Sequence, residues 1–232
     1  MKKLIATLAV LASASTNAVQ LDIEITNLTR GSYFTPLLVA AHASGASLFA
    51  SATPASANLQ AMAEGGDISG LMADMVAINA TVVANPAEGL LVPGGSTSVS
   101  INTDEAPDNT RLSIVAMLLP SNDGFMGLNA ISIPEAPGTY VLNVNAYDAG
   151  TEGNDEVIGG GAPGEAGYPA PPPVAAASGT GGTGIDAEAE GFVHIHRGVL
   201  GDTDAEAGPS DIDSLVHRWL NPVVRVVVTV SE

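Results

Sequence analysis

Hydrophobic and polar residues alternate over much of this chain, beginning with VQLDIEITNL, where Leu21, Ile23 and Ile25 share one face and Asp22, Glu24 and Thr26 the other. Successive side chains of a strand point to opposite faces, so this segment predicts a strand buried on one side. The pattern returns in STSVSIN with Val99 and Ile101, in TRLSIVAMLL with Leu112, Ile114, Ala116 and Leu118, and in TYVLNVNAY with Tyr140, Leu142, Val144 and Ala146. FVHIHRG and the terminal VVRVVVTV continue it, and LLVAAH and LNAISI bring the set to about eight strands. Alternation with one wet face belongs to antiparallel sheets. The predicted fold is all-β: an antiparallel β-sandwich, two sheets packed face to face.

Helix is a minor component. PASANLQAMAEGGD (54–67) sets helix formers between a proline and two glycines, with Ser56 in N-cap position, and DISGLMADMV adds a second short candidate. Both would cross one edge of the sandwich. Gly65, Gly66 and Gly70 interrupt the pattern and leave irregular loop as the alternative. Residues 159–184, GGGAPGEAGYPAPPPVAAASGTGGTG, supply almost nothing to bury and predict a long open loop inserted between strands. This loop does not divide the chain, because the remainder holds only two convincing strands and could not build its own core.

The first residues, MKKLIATLAVLASASTNA, run from Lys2 and Lys3 through an apolar stretch (4–12) into small residues, the order of a secretory signal peptide. Cleavage is expected after Ala18, with Ala14 as an alternative, leaving one domain over 19–232 that is secreted or periplasmic. The apolar stretch falls short of the roughly 20 residues that cross a bilayer, and no later segment comes closer, so no membrane span is expected.

Charge narrows the partners. The chain carries a formal charge of -18; losing Lys2 and Lys3 takes this to -20 and leaves Arg30, Arg111, Arg197, Arg218 and Arg225 as its only strong bases. Nucleic acid and anionic lipid would meet no cationic patch, whereas cations are natural counter-ligands. The plainer account is that acidity keeps an exported protein soluble. Cysteine is absent, so no disulfide framework exists, and roughly 210 residues suffice for one core without cross-links.

The acidic residues cluster at strand ends. In AYDAGTEGNDE, Asp148 and Glu152 flank Ala-Gly-Thr, and Gly150 allows the chain to fold back and bring both carboxylates to one point. Asp123, in LLPSNDGFMG, follows another strand. Ca2+ takes about six to eight oxygens from carboxylates, carbonyls and water and suits such loops. The same residue types also make ordinary solvated turns.

In ITNLT, FTPLLVAAH, LLPSNDGFMGLNAI, NAYDAGTEGNDE, HIHRG and RWLNPVVRVVV, in that order, the chain resembles the spondin N-terminal domain family, the secreted module of F-spondin and mindin and of a set of bacterial proteins. The resemblance covers most of the chain outside the leader and the Gly/Pro-rich loop. It implies a β-sandwich similar to a C2 domain, acting in adhesion or matrix binding toward an extracellular protein or glycan, with calcium on loops at one end. The family pattern Asp-Trp-Phe-x-Gly corresponds to residues 123–127 and Trp-Asp-Ala-Gly-Thr-Asp to 147–152, so calcium ligation carries over onto Asp123, Asp148 and Glu152. Glu152 stands for an aspartate, Gly124 and Tyr147 for tryptophans, and the family's cysteines are missing. The longer arm of Glu152 could make a monodentate ligand bidentate or weaken the site.

His194 and His196 project to one face of a strand and suggest a transition-metal protein or metalloenzyme as the alternative, although no third ligand is identifiable and a pair of partly exposed histidines on a wet face is the plainer reading. His42 and His217 could approach only through folding. Catalysis has little support: after the leader there is neither cysteine nor lysine, no G-x-S-x-G elbow is present, and the glycine-rich runs lack a phosphate-loop lysine. The expectation is a binding module that is not an enzyme.

Overall fold

The computed structural model describes residues 19–185 and 188–231; the expected leader, 1–18, lies outside the described residues. The chain forms β1 (Gln20–Asn27), β2 (Tyr33–Phe34), β3 (Leu38–His42), α1 (Ala57–Gly65), α2 (Ser69–Ala77), β4 (Thr81–Ala84) and β5 (Ser96–Asn102). There follow β6 (Arg111–Leu119), β7 (Gly124–Ser132), β8 (Gly138–Val144), β9 (Ala146–Asp148), α3 (Pro172–Ala175), β10 (His194–Ile195) and β11 (Val224–Ser231).

These strands make two antiparallel sheets. The smaller runs β5-β1-β11-β8; the larger runs β10-β9-β7-β6-β3-β4, with β2 paired to β6. Leu21, Ile23 and Ile25 of β1 and Val224, Val226, Val228 and Val230 of β11 point inward, as their alternation requires, and meet Leu112, Ile114, Ala116 and Leu118 of β6 in the core between the sheets. The all-β sandwich is the fold.

β6 departs from simple alternation because it is buried on both faces. Its other residues, Val115, Met117 and Leu119, enter a second core on the outer face of the larger sheet, closed by Leu59, Met62 and Ala63 of α1 and by Leu71 and Met75 of α2. The helices therefore cover a sheet face; they do not cross an edge. Ser56 caps α1, its Oγ accepting from the Leu59 amide at 3.1 Å. Burying each such Leu or Met side chain contributes about 1.5–3 kcal/mol, which outweighs the glycine penalties that made these segments ambiguous.

The Gly/Pro-rich segment is not an open loop. Tyr168 and Val174 are fully buried in the outer core, and Pro172–Ala175 forms α3. Its glycines let the segment close tightly on itself, Gly159 against Gly167, and on the loop before β11, Gly182 against Asp211, while the two large side chains anchor it in the outer core. A second difference concerns TYVLNVNAY, which is two strands. β8 belongs to the smaller sheet and β9 to the larger, and the chain changes sheets at Asn145. The crossing is fixed where the Ala146 amide donates to Asn221 Oδ1 at 2.7 Å. This switch delivers the acidic loop after β9 to the tip of the β6–β7 hairpin.

Candidate metal centre

The hairpin tip is a tight polar turn. Ser121 Oγ donates to the Leu118 carbonyl at 2.5 Å and accepts from the Gly124 amide at 3.1 Å, which fixes Asp123 at the start of β7. β9 pairs antiparallel with β7, Gly124 opposite Asp148, and the Ala149 amide donates to the Asp123 carbonyl at 3.2 Å. Asp123, the residue before β7, and Asp148, the last of β9, are thus brought together by strand register at one end of the sheet.

After β9 the chain folds back. Gly150 takes a left-handed φ of 68°, and its amide donates to Asp148 Oδ1 at 2.8 Å. A side chain here would collide with the Phe192 backbone, so glycine is required for both conformation and space. The amides of Thr151 and Glu152 then donate to Asp123 Oδ2 at 2.8 and 3.2 Å. What reaches Asp123 from this loop is backbone. The Glu152 carboxylate turns the other way, Oε1 accepting from Asn122 Nδ2 at 2.7 Å and from the Gly167 amide at 2.6 Å.

Asn122 also donates to Asp155 Oδ1 at 2.7 Å, and its own Oδ1 accepts from the Glu156 amide. The Glu156 carboxylate holds the chain beyond β10, accepting from the amides of Leu200 and Gly201 and from Ser210 Oγ. The acidic residues of the hairpin tip and of the loop after β9 therefore divide into separate tasks. Asp148 and Asp123 lie at the strand ends, Glu152 ties down the Gly/Pro-rich segment, and Glu156 ties down the loop before β11.

Electrostatically the centre is unbalanced. Asp123 and Asp148 are at most 1% exposed and Glu152 is 9% exposed. Among the described residues the basic side chains beside these carboxylates are histidines, His194 near Asp148 and Glu190 and His196 near Asp148, and neither lysine nor arginine neutralises them. Burial, followed by the charge of Asp148, pushes the Asp123 carboxyl up to about 8 against the lowering effect of the Thr151 and Glu152 amides. Burial also raises Glu152, opposed by its bonds from Asn122 and Gly167. Asp123 Oδ1 and Glu152 Oε2 are buried without a hydrogen-bond partner.

β10 closes the other side of β9, with His194 opposite Asp148. The two histidines differ sharply: the His194 side chain is 27% exposed, whereas His196 is buried at 4%. His196 lies against Trp219 with ring centroids 4.8 Å apart, and over Gly124, where a Cβ would come 3.0 Å from its Cδ2. A tryptophan at position 124 would exclude this ring. Burial lowers His196 to about 4, against the opposing charge of Asp148.

Among the described residues, the set whose ligand atoms all lie within 4.8 Å of one another is Asp148, Glu190 and His194. The sequence reading missed Glu190, whose position four residues before His194 was the available signal. His42 is engaged elsewhere, its Nε2 2.7 Å from Ser113 Oγ, and His217 does not join the set. No helix among the described residues is long and apolar enough to cross a membrane.

No curated protein matches the chain. The family model Spondin_N matches residues 26–156, more than half of the 232 and the whole span from Asp123 to Glu152. With the two-sheet fold and the acidic hairpin tip inside that span, the chain belongs to the spondin N-terminal domain family, an extracellular-type module.

Proposed function

We propose that this module binds calcium at the junction of the β6–β7 hairpin and the loop after β9, and that the ion-stiffened loops present a surface for adhesion to an extracellular protein or glycan. Asp123 and Asp148 are the core ligands; Glu152 contributes its backbone amide to Asp123, and its carboxylate, held by Asn122 and Gly167, would join the ion only by turning away from those donors. The observation that carries the reading is Asp123 Oδ1, a buried carboxylate oxygen without a donor, beside a second buried carboxylate and, among the described residues, with no lysine or arginine paired to either. Burying such charges costs several kcal/mol each unless a counter-charge is supplied. The ligands named here are carboxylate oxygens, which suit a hard ion, with carbonyls and water filling the remaining positions.

Binding is the role in this reading, and the chain acts as a module without catalysis of its own. Export through the amino-terminal leader agrees with the extracellular type of the family. Calcium titration followed by thermal melting tests the proposal: the melting temperature rises with calcium, and Asp148→Ala abolishes the rise. Melting curves that do not move across millimolar calcium refute it.

A further inference from the structure

A second group of ligating atoms faces the cavity beside β10. His194 Nε2 lies 3.8 Å from Asp148 Oδ1 and 3.7 Å from Glu190 Oε1. These separations are too long for hydrogen bonds. His194 Nδ1 sits 3.2 Å from the Ile195 carbonyl oxygen, which can only accept, so Nδ1 carries a proton, and in the neutral ring, the form that ligates a metal, Nε2 presents its lone pair. Three acceptors thus converge with no donor among them, an arrangement that a cation satisfies. Donation of the far ring N–H to a backbone carbonyl is also what orients metal-ligating histidines.

An independent feature supports the same point. His196 Nδ1 accepts from the Gly198 amide at 3.1 Å, which leaves the proton on Nε2. That buried Nε2 has no hydrogen-bond partner and lies 3.9 Å from Asp148 Oδ2. The Asp148 carboxylate is oriented by Asn154 Nδ2, which donates to Oδ2 at 2.9 Å, and by the Gly150 amide on Oδ1, with the unpartnered His196 Nε2 facing Oδ2 from beyond hydrogen-bond distance.

We propose that Asp148, Glu190 and His194 hold a divalent transition ion of the zinc class. An imidazole nitrogen with two carboxylate oxygens selects a borderline ion over calcium or magnesium. A tetrahedral ion with bonds of about 2.1 Å sets its ligands roughly 3.4 Å apart, a few tenths of an ångström inside the two separations from His194, and the partly exposed Glu190 side chain, within 4.8 Å of Asp148, can swing in to complete the set. The adjoining cavity, about 460 Å³ and lined also by Asn154 and Phe192, provides an entry path and room for a fourth ligand. Glu190 and His194 lie beyond the residues matched by the family model. The inference does not rest on the calcium reading, although Asp148 serves both.

Zinc chloride titrated into metal-free full chain against a chromophoric chelator tests it. One zinc per chain is expected, with His194→Gln and Glu190→Gln each weakening affinity at least about tenfold while the circular dichroism and the calcium response stay unchanged. Failure to compete with the chelator, or unchanged affinity in both variants, overturns the proposal. Zinc uptake without a calcium response refutes the calcium reading alone; a calcium response without zinc uptake refutes this one alone.

Discussion

Replacing Asp123 by asparagine separates the charge of the hairpin tip from its shape. The asparagine Oδ1 can accept from the Thr151 and Glu152 amides as Asp123 Oδ2 does, and the amide nitrogen takes the place of the unpartnered Oδ1. The ionisable carboxyl is replaced by an amide that stays neutral at every pH. In the folded protein without divalent ions the Asp123 carboxyl is pushed up to about 8 from the ordinary 3.8. Because the folded value is raised, the stability linked to its proton is complete below 3.8 and is lost as pH rises toward 8. Between 3.8 and pH 7 the linkage, at 1.36 kcal/mol per pH unit, sets a ceiling of about 4 kcal/mol. Relaxation of the loop reduces this, and a gain of about 2 kcal/mol for Asp123→Asn, or roughly 4–8 °C in melting temperature, is expected in chelator at pH 7. At pH 5 the gain shrinks. Calcium at a hundred times its dissociation constant adds about 2.7 kcal/mol to the wild type and nothing to the variant, reversing the order. Thermal melts at pH 5 and 7, with chelator or calcium, read all of this. A variant less stable than wild type in chelator at pH 7, or one that calcium stabilises equally, refutes the reasoning.

Gly150→Ala forces a side chain into a left-handed φ and against the Phe192 backbone, so a loss of at least about 2 kcal/mol is expected in urea melts; wild-type stability would show that the loop is not held as described. Tyr168→Ala removes a fully buried ring from the outer core and costs about 3–5 kcal/mol, whereas an open Gly/Pro-rich loop would lose almost nothing. His217 is buried with both ring nitrogens unpartnered, and burial lowers its value from 6.5 against the pull of Asp213. The unfolded chain takes up that proton first, so stability falls as pH drops through 6.5, by up to about 1.4 kcal/mol per pH unit. His217→Leu should flatten this slope between pH 7 and 5; identical urea midpoint shifts in both proteins would count against it.

The sandwich is legible in the sequence wherever one sheet face is buried and the other is wet. β1 and β11 alternate cleanly because their outer-face residues are exposed or half-buried while the inner ones are buried. β6 hides its second role, since Val115, Met117 and Leu119 read as polar-side positions until α1 and α2 are placed over them. The break at Asn145 is invisible because alternation runs unbroken from β8 through β9, and only the Asn221 contact marks the change of sheet. Tyr168 and Val174 sit in a composition that predicts no burial at all, and two side chains are too few to show a period.

The same logic explains which parts of the metal centre could be foreseen. Asp123 and Asp148 both stand at strand ends, and a shared sheet makes such positions neighbours once β7 and β9 pair. Glu152 is different, because proximity in sequence does not fix where a flexible arm points. Its backbone serves Asp123, while its carboxylate is drawn to the donors of Asn122 and Gly167. Glu190 lies beyond a long irregular segment, and only the pairing of β10 with β9 brings His194 and its preceding turn to Asp148. Asp148 is consequently the residue on which both proposed sites depend: its register with Gly124 sets one carboxylate beside it, and its register with His194 sets an imidazole on the other side. A substitution at Asp148 must therefore abolish both metal responses, whereas substitutions at Asp123 and His194 must separate them, and that pattern of loss follows from strand pairing alone.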